Sequence, residues 1–391
     1  MPVDFQNLQQ QVRKWGETAP LREKDFREKR EQSLDIMRRQ AGELELLRQR
    51  VRQAAGHNPS LRCAIPAVEN LDAHFPLPPL PMDGVILAAD GSQINPDRHA
   101  VVQFCVINVG VFEFRPGQSA PREIIRSRLL AEEELYTANG LITEEVVALT
   151  RDLNERTVLA DLASRAASPV TTLTDGPLEL FTDRGSRDTP EFQRLFQEYL
   201  DVLTRLSALG VITAGYVDKP RGDLVVRLLE LEELKEDLRR AGRVRPFHGV
   251  TDAHLFRDLL APGERSAVFG IQSSSADHFR GELALHFFYL NVGRPEHPWI
   301  TRTEIPAWVA ERPALIDRLQ AVLVGQARIM GARPYPYALA RAHEVAVVSL
   351  AEKEQLEQMM VAEMYRRGIP VGEKSNKQSH KDLEGRTRLT R

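Results

Sequence analysis

Two Asp-Gly pairs stand at the ends of apolar runs, and both are candidates for metal chemistry. Asp90-Gly91-Ser92 follows GVILAA, and Asp175-Gly176-Pro177 follows VTTLT. Alone, each reads as well as a turn, since Asp-Gly is a strong hairpin signal. Together they say more. If both runs are strands of one sheet and lie side by side, both carboxylates reach one edge. Like charges that close raise the pKa of one partner in a dry site. A bound Mg²⁺ or Mn²⁺ keeps both ionised, and such hard cations take carboxylate oxygens. A third acid belongs between them. Glu155, in RDLNERTVLADLASRA, lies four and seven residues before Leu159 and Leu162, at one end of a sheet-facing stripe. Asp161, Glu133 and Glu134 compete for that role.

The elements that must position these acids follow from the hydrophobic pattern. GVILAAD (84–90), HAVVQFCVINVGVFEF (99–114, with Asn108 and Gly110 as break points) and REIIRSRLL (122–130) predict an antiparallel three-strand meander. Thr143 caps a helix running to about Ala167. A strand ends at Asp175, residues 190–209 predict a helix, and 210–220 a strand ending near Asp218 and Lys219. A charged helix over 223–241, a strand over 284–292 and one long helix from Pro336 to Arg367 follow. Ahead of the meander, Leu34, Met37, Ala41, Leu44, Leu47 and Val51 give one long helix over 21–55, and the Pro-rich stretch to Pro81 reads as a linker. The expected class is therefore α/β: a mixed β-sheet flanked by helices, with a long N-terminal helix. The expected divisions are 1–80 (helix and linker), 81–370 (the main domain) and a flexible basic tail, 371–391, with six Lys/Arg against three Asp/Glu.

Composition sets outer limits. The chain has 391 residues, with 52 Lys+Arg against 55 Asp+Glu. No global basic field exists, so any nucleic-acid contact is a local patch. Cys63 and Cys105 cannot build a four-thiolate zinc site and read as buried thiols. No apolar stretch reaches membrane-spanning length and no secretory signal is read, so the expected location is the cytoplasm. No Walker A motif and no Gly-x-Ser-x-Gly elbow around Ser92 are present.

An Asp on the first strand, a meander, a Glu on a helix and an Asp ending a fourth strand resemble the ribonuclease H-like fold. Within it, the motifs resemble the NurA nuclease family: ILAADGSQ (86–93), TTLTDGPL (171–178), GYVDKP (215–220), TDAHLF (251–256) and RPYPYALARAHEVAVV (333–348). They span residues 83–350. The resemblance implies a deoxyribonuclease activated by Mn²⁺, with Mg²⁺ as the alternative and two ions per site. It implies action on DNA ends and single strands, as a 5'-3' exonuclease or single-strand endonuclease. It also implies a homodimer, and work beside the hexameric HerA ATPase in DNA end resection. Asp90 and Asp175 match the family's metal-binding aspartates, Glu155 its helix glutamate, His343 its C-terminal histidine and Lys219 its strand-end lysine. Two departures stand out: Pro177 replaces an expected small polar residue, and the chain after Gly368 has no counterpart.

Residue chemistry agrees with those roles. Two metal ions can stabilise the attacking and leaving oxygens of an in-line displacement. His343, four residues after Leu339 and three before Ala346, can face the core and ligate a metal or orient water. Lys219, Arg126, Arg128 and Arg184 are candidate phosphate contacts. Phe287, Phe288 and Tyr289 could stack a base. Asp252, in TDAHLF, reads as a helix N-cap. The competing reading is a catalytically silent module of the same fold that docks DNA or a translocase.

Overall fold

The computed structural model describes residues 3–97, 100–117, 120–137, 140–180 and 189–370. Arg184 and the expected basic tail 371–391 lie outside the described residues. The chain forms two compact units: an N-terminal unit (Met1–Pro81, Gly176–Glu179 and Ala214–Pro336) and a central unit (Met82–Asp175, Leu180–Thr213 and Tyr337–Arg391).

In the N-terminal unit α1 (Phe5–Glu17) comes first, and the long helix predicted over 21–55 is two, α2 (Ala19–Arg39) and α3 (Leu44–His57). The break over 40–43 has a local cause. Gly42 is a poor helix former, and the Ala41 carbonyl turns outward to accept from the Leu71 amide at 3.0 Å. Leu34, Met37, Leu47 and Val51 are still buried as the stripe required. The expected linker is not one. It carries β1 (Cys63–Pro66) and β2 (His74–Phe75), and Leu61, Cys63, Ala64 and Leu71 are core.

The central unit holds the meander: β3 (Val85–Ile94), β4 (Cys105–Phe114) and β5 (Arg122–Leu130) are antiparallel neighbours. Asn108 and Gly110 do not interrupt β4. After the short hairpin β6 (Tyr136–Thr137) and β7 (Gly140–Leu141), Thr143 caps α4 (Glu144–Ala163) by accepting from the Val146 amide at 3.3 Å. Then β8 (Val170–Asp175) runs parallel to β3, with Ala89 opposite Thr174. Helix α5 (Pro190–Ala208) packs on α4, and β9 (Ile212–Val217) begins beside β8, where Thr172 and Thr213 share a hydrogen bond of 3.0 Å. The order β5-β4-β3-β8-β9 is the ribonuclease H-like arrangement, a mixed sheet flanked by helices.

The N-terminal unit continues with α6 (Leu224–Glu233) and α7 (Asp252–Phe256). Strands β10 (Arg265–Ser266), β11 (Phe269–Gln272), β12 (Leu285–Asn291) and β13 (Ile300–Pro306) pair antiparallel, with the end of β9 on β13. Helices α8 (Ala307–Ala310) and α9 (Pro313–Ile329) close it. The helix expected over 223–241 stops at Glu233 and is buried rather than solvated. Arg227 Nη1 and Arg245 Nε meet Glu230 at 2.5 and 2.7 Å. Phe287, Phe288 and Tyr289 are fully buried, so they serve the core and cannot stack a base. The helix expected from Pro336 to Arg367 is two, α10 (Tyr337–Ala346) and α11 (Leu350–Arg366), because Ser349 starts a new helix through a capping box with Glu352. No helix among the described residues is long and apolar enough to cross a membrane. Both cysteines are buried and free, and burial pushes the Cys63 and Cys105 thiols up to about 12 and about 11.

Asp252, expected as the N-cap of its own helix, is not that cap, which is Thr251; it serves the N-terminus of α6 instead. Its buried carboxylate accepts from the Val225 and Val226 amides at 3.0 and 2.8 Å and from Tyr289 Oη at 2.6 Å. Desolvation outweighs these donors and raises its pKa to about 6. Asp252→Ala should strand three buried donors and cost about 2–4 kcal/mol. A thermal melt at pH 7 should fall by several degrees; an unchanged melting temperature would show that the α6 terminus does not depend on this carboxylate.

Candidate active site

The run Ile86–Ala89 is buried, and Asp90 is the first residue of β3 to reach solvent, with 18% of its side chain exposed. One residue beyond the pairing of Ala89 with Thr174, Asp90 and Asp175 occupy corresponding positions on neighbouring parallel strands. Adjacent strands lie about 4.8 Å apart and in-register neighbours share a face. Both acids were expected at strand ends. Asp175 is the exposed last residue of β8, but β3 runs on past Asp90 to Ile94, because Gly91 and Ser92 stay paired with β4 instead of turning, and the two acids stand at corresponding positions on one face.

Two glycines bring helices onto the sheet beside Asp90 from opposite sides. Gly110 pairs across from Asp90 on β4 and so shares its face. A Cβ at Gly110 would lie 2.5 Å from the Ala346 amide nitrogen and 2.7 Å from the Ala342 carbonyl oxygen. Only glycine lets the α10 backbone rest there. The contact is fixed by hydrogen bonds: Ser92 Oγ and Asn108 Nδ2 both donate to the Ala346 carbonyl, at 2.5 and 2.8 Å, and Ser127 Oγ donates to Asn108 Oδ1 at 2.6 Å. Ser92 is therefore a clasp and not a nucleophile. Seated this way, α10 carries His343 Nδ1 to 2.6 Å from Asp90 Oδ2, while Asp90 Oδ1 accepts from the Gly91 amide at 2.8 Å. The His343 side chain is 66% exposed, where its spacing predicted a core-facing ring; Leu339, Ala342 and Ala346 fill the buried face instead.

Gly91 points to the other face and admits α4. A Cβ there would lie 2.6 Å from Glu155 Oε1 and 2.6 Å from Arg151 Cγ. Glu155 is 4% exposed. Its counter-charges stand at ion-pair range, Arg151 Nε at 3.5 Å and Arg156 Nη1 at 3.6 Å. Each arginine has other duties. Arg151 Nη2 donates to Asp152 Oδ1 at 2.9 Å, and Arg156 Nη2 donates to Thr174 Oγ1 at 3.2 Å while its guanidinium covers the Tyr199 ring. Burial pushes the Glu155 carboxyl well above the usual carboxylate range, Asp152 and Asp90 add to the rise, and the two arginines oppose it. Of the competing acids, Glu134 is paired with Arg128 and Asp161 with Arg205, both at 2.8 Å. Asp152, one helical turn before Glu155, was missed. Its signal was the i, i+3 spacing.

Among the described residues, no three His, Cys, Asp or Glu side chains form a closed metal cage as they stand. The donor chemistry nonetheless fits a hard divalent ion. Asp90 supplies carboxylate oxygens beside the Asp175 position, and Glu155 is a buried acid that neighbouring positive charge would keep ionised. Of the candidate phosphate contacts, Arg128 is committed to Glu134, and Arg126 Nη1 bonds the Ile125 carbonyl on the exposed strand β5 at 3.2 Å. Lys219 belongs to the N-terminal unit, its ammonium 4.4 Å from the centre of the Trp299 ring.

The family model of the NurA domain matches residues 84–348. No curated protein matches. Similar solved structures include a NurA crystal structure (13% identity, 73% of this chain and 90% of that one, TM-score 0.36) and one of NurA with manganese (13%, 85% and 98%, 0.36). An A. aeolicus Argonaute is similar over 68% of this chain and 28% of its own, at 9% identity and TM-score 0.29.

Two outcomes test the site's physics without any assay of turnover. A carboxyl whose folded pKa exceeds its unfolded value weakens the fold as pH rises from the ordinary range through the raised value. In the presence of a chelator, Glu155→Gln should therefore raise the melting temperature at pH 8 by a few degrees, for about 1–3 kcal/mol. The gain should shrink toward pH 4; a lower melting temperature at pH 8 would refute the assignment. Gly110→Ala should destabilise by about 1–3 kcal/mol, because the atoms it meets are backbone and cannot step aside. Retention of wild-type stability would mean that α10 is not seated on that glycine.

Proposed function

The chain belongs to the NurA family of nucleases, and from that premise we propose that it hydrolyses DNA phosphodiester bonds with a divalent ion, Mn²⁺ first and Mg²⁺ second, held by Asp90, Glu155 and Asp175. The observation that carries this reading is β3 at Asp90, where the carboxylate meets His343 at 2.6 Å, lies one residue beyond the pairing of Ala89 with Thr174 and so beside the Asp175 position, and is followed by Gly91, against which buried Glu155 packs. When bound, the ion supplies charge stabilisation at the phosphate and a water of lowered pKa.

The chain's own residues do the rest. His343 Nδ1–H faces the Asp90 carboxylate, and the tautomer protonated only there has a lone pair on Nε2. That atom can accept a proton from a water beside the exposed ring, and Asp90 stabilises the imidazolium that results. Gly91 and Gly110 set the two helices that bear Glu155 and His343. The finer parts of the reading come from the family resemblance: two ions per site, 5'-3' exonucleolytic or single-strand endonucleolytic cleavage, a homodimer and a HerA-type hexameric ATPase as partner.

Asp90→Ala, Asp175→Asn and Glu155→Gln should each lower cleavage of linear and single-stranded DNA with Mn²⁺ by at least 100-fold, and His343→Ala by about 10–1,000-fold. Melting curves confirm that each variant folds. Full cleavage by Asp90→Ala, or no Mn²⁺-dependent cleavage by the wild type, would remove the proposal; the second outcome would leave a silent binding module.

A further inference from the structure

A second site is built in the N-terminal unit, and the reaction described above makes no use of it. A surface pocket of about 320 Å³ is lined by Lys219, Arg221, His254, Arg257 and Trp299, among others, and none of its lining residues is acidic. Arg221 and Arg257 are exposed, and neither has a carboxylate partner among the described residues. The acids nearby are already committed. Asp223 is paired with Arg245, Asp258 with Arg30, and Asp218 Oδ1 accepts from Trp299 Nε1 at 2.7 Å.

The third cation is held in place. Lys219 adopts φ +45, in the left-handed region that a non-glycine residue enters only at a cost in backbone strain. Its ammonium rests 4.4 Å from the centre of the Trp299 ring, which the hydrogen bond to Asp218 keeps from turning. A cation fixed on an aromatic ring keeps its charge available, whereas one in a salt bridge does not. The imidazole is neutral, since His254 Nδ1 accepts from the Thr251 amide at 3.1 Å and burial, Arg30 and Arg257 push its pKa down. Nε2 thus carries a hydrogen that can be donated. Three unpaired cations and an N–H donor around one concavity match the oxygens of a phosphate group.

We propose that this pocket seats a backbone phosphate of a single DNA strand, with Arg221 and Arg257 as direct contacts and Trp299 as the residue positioning Lys219. The assignment of DNA rests on the nuclease reading; the phosphate chemistry does not.

The test uses the full chain in EDTA, so that binding is read without cleavage. Fluorescence anisotropy follows a labelled dT20 oligonucleotide from 50 to 300 mM salt. Arg221→Gln/Arg257→Gln should weaken binding at least 10-fold and flatten the log–log salt slope by about 1.4, the value for two phosphate contacts on a single strand. Arg221→Lys/Arg257→Lys should restore most of the slope, and Trp299→Leu should weaken binding with Arg221 and Arg257 intact. Equal affinity and slope for the Gln double variant, with an unchanged melting curve, would overturn the proposal. Calorimetry with inorganic phosphate alone separates the sources. Heat lost in the Gln variant, with DNA binding unchanged, would assign the pocket to a small phosphate compound and overturn the strand assignment. Cleavage with Mn²⁺ is scored independently. A wild type that binds through this pocket but does not cut would sink the nuclease reading alone, and one that cuts while the Gln variant binds normally would sink only the pocket.

Discussion

The backbone of α10 rests directly on the backbone of β4 at Gly110, and the chemistry of the central unit depends on that approach. A side chain there would meet the Ala346 amide at 2.5 Å. The helix would have to lift, and His343 would leave Asp90. Ser92, Asn108 and Ser127 add hydrogen bonds that hold the helix end down. Three polar residues that could have suggested chemistry are instead the fastening of the one histidine that touches the site. Gly91, on the opposite face, gives α4 the same freedom, so the sheet at Asp90 is approached from both sides where residues have no side chain of their own.

Electrostatics explains why such a site is worth holding together. Glu155 is buried beside two arginines at 3.5 and 3.6 Å, yet its carboxyl is raised far above its ordinary range. Arginines shared with Asp152, Thr174 and Tyr199 do not fully offset the desolvation of a carboxylate. Ionising this carboxyl is therefore unfavourable among its protein neighbours, a condition common at functional sites. In the N-terminal unit Glu230 is compensated by Arg227 and Arg245, whereas Asp252, only partly offset by two amides and a phenol, orders the α6 terminus, so those buried acids serve architecture.

Much of the central unit was legible in the sequence. The meander, the Thr143 cap, the strand ending at Asp175 and the order that makes the sheet ribonuclease H-like all follow from hydrophobic period and turn residues, which act over a few positions. The errors share a cause. The helices over 21–55 and 336–367 were read as continuous because their apolar stripes run on, but Gly42 and the Ser349–Glu352 box end them. The helix after Asp223 looked solvated because its charges could not be seen to pair with one another. The aromatic triplet on β12 looked available because strand burial on both faces leaves no mark in alternation.

By itself, the sequence determined which residues could hold a metal and which local elements carry them, because residue type and period are local properties. It could not determine that His343, 253 positions from Asp90, lies 2.6 Å away. Nor could it show that Gly110 and not Ser92 is what seats α10, or that Arg221 and Arg257 have no carboxylate partner among the described residues while the acids beside them are paired. Those facts depend on which backbones approach closely enough to exclude a Cβ, and on which charges find each other once the chain has closed. Only the tertiary structure decides either.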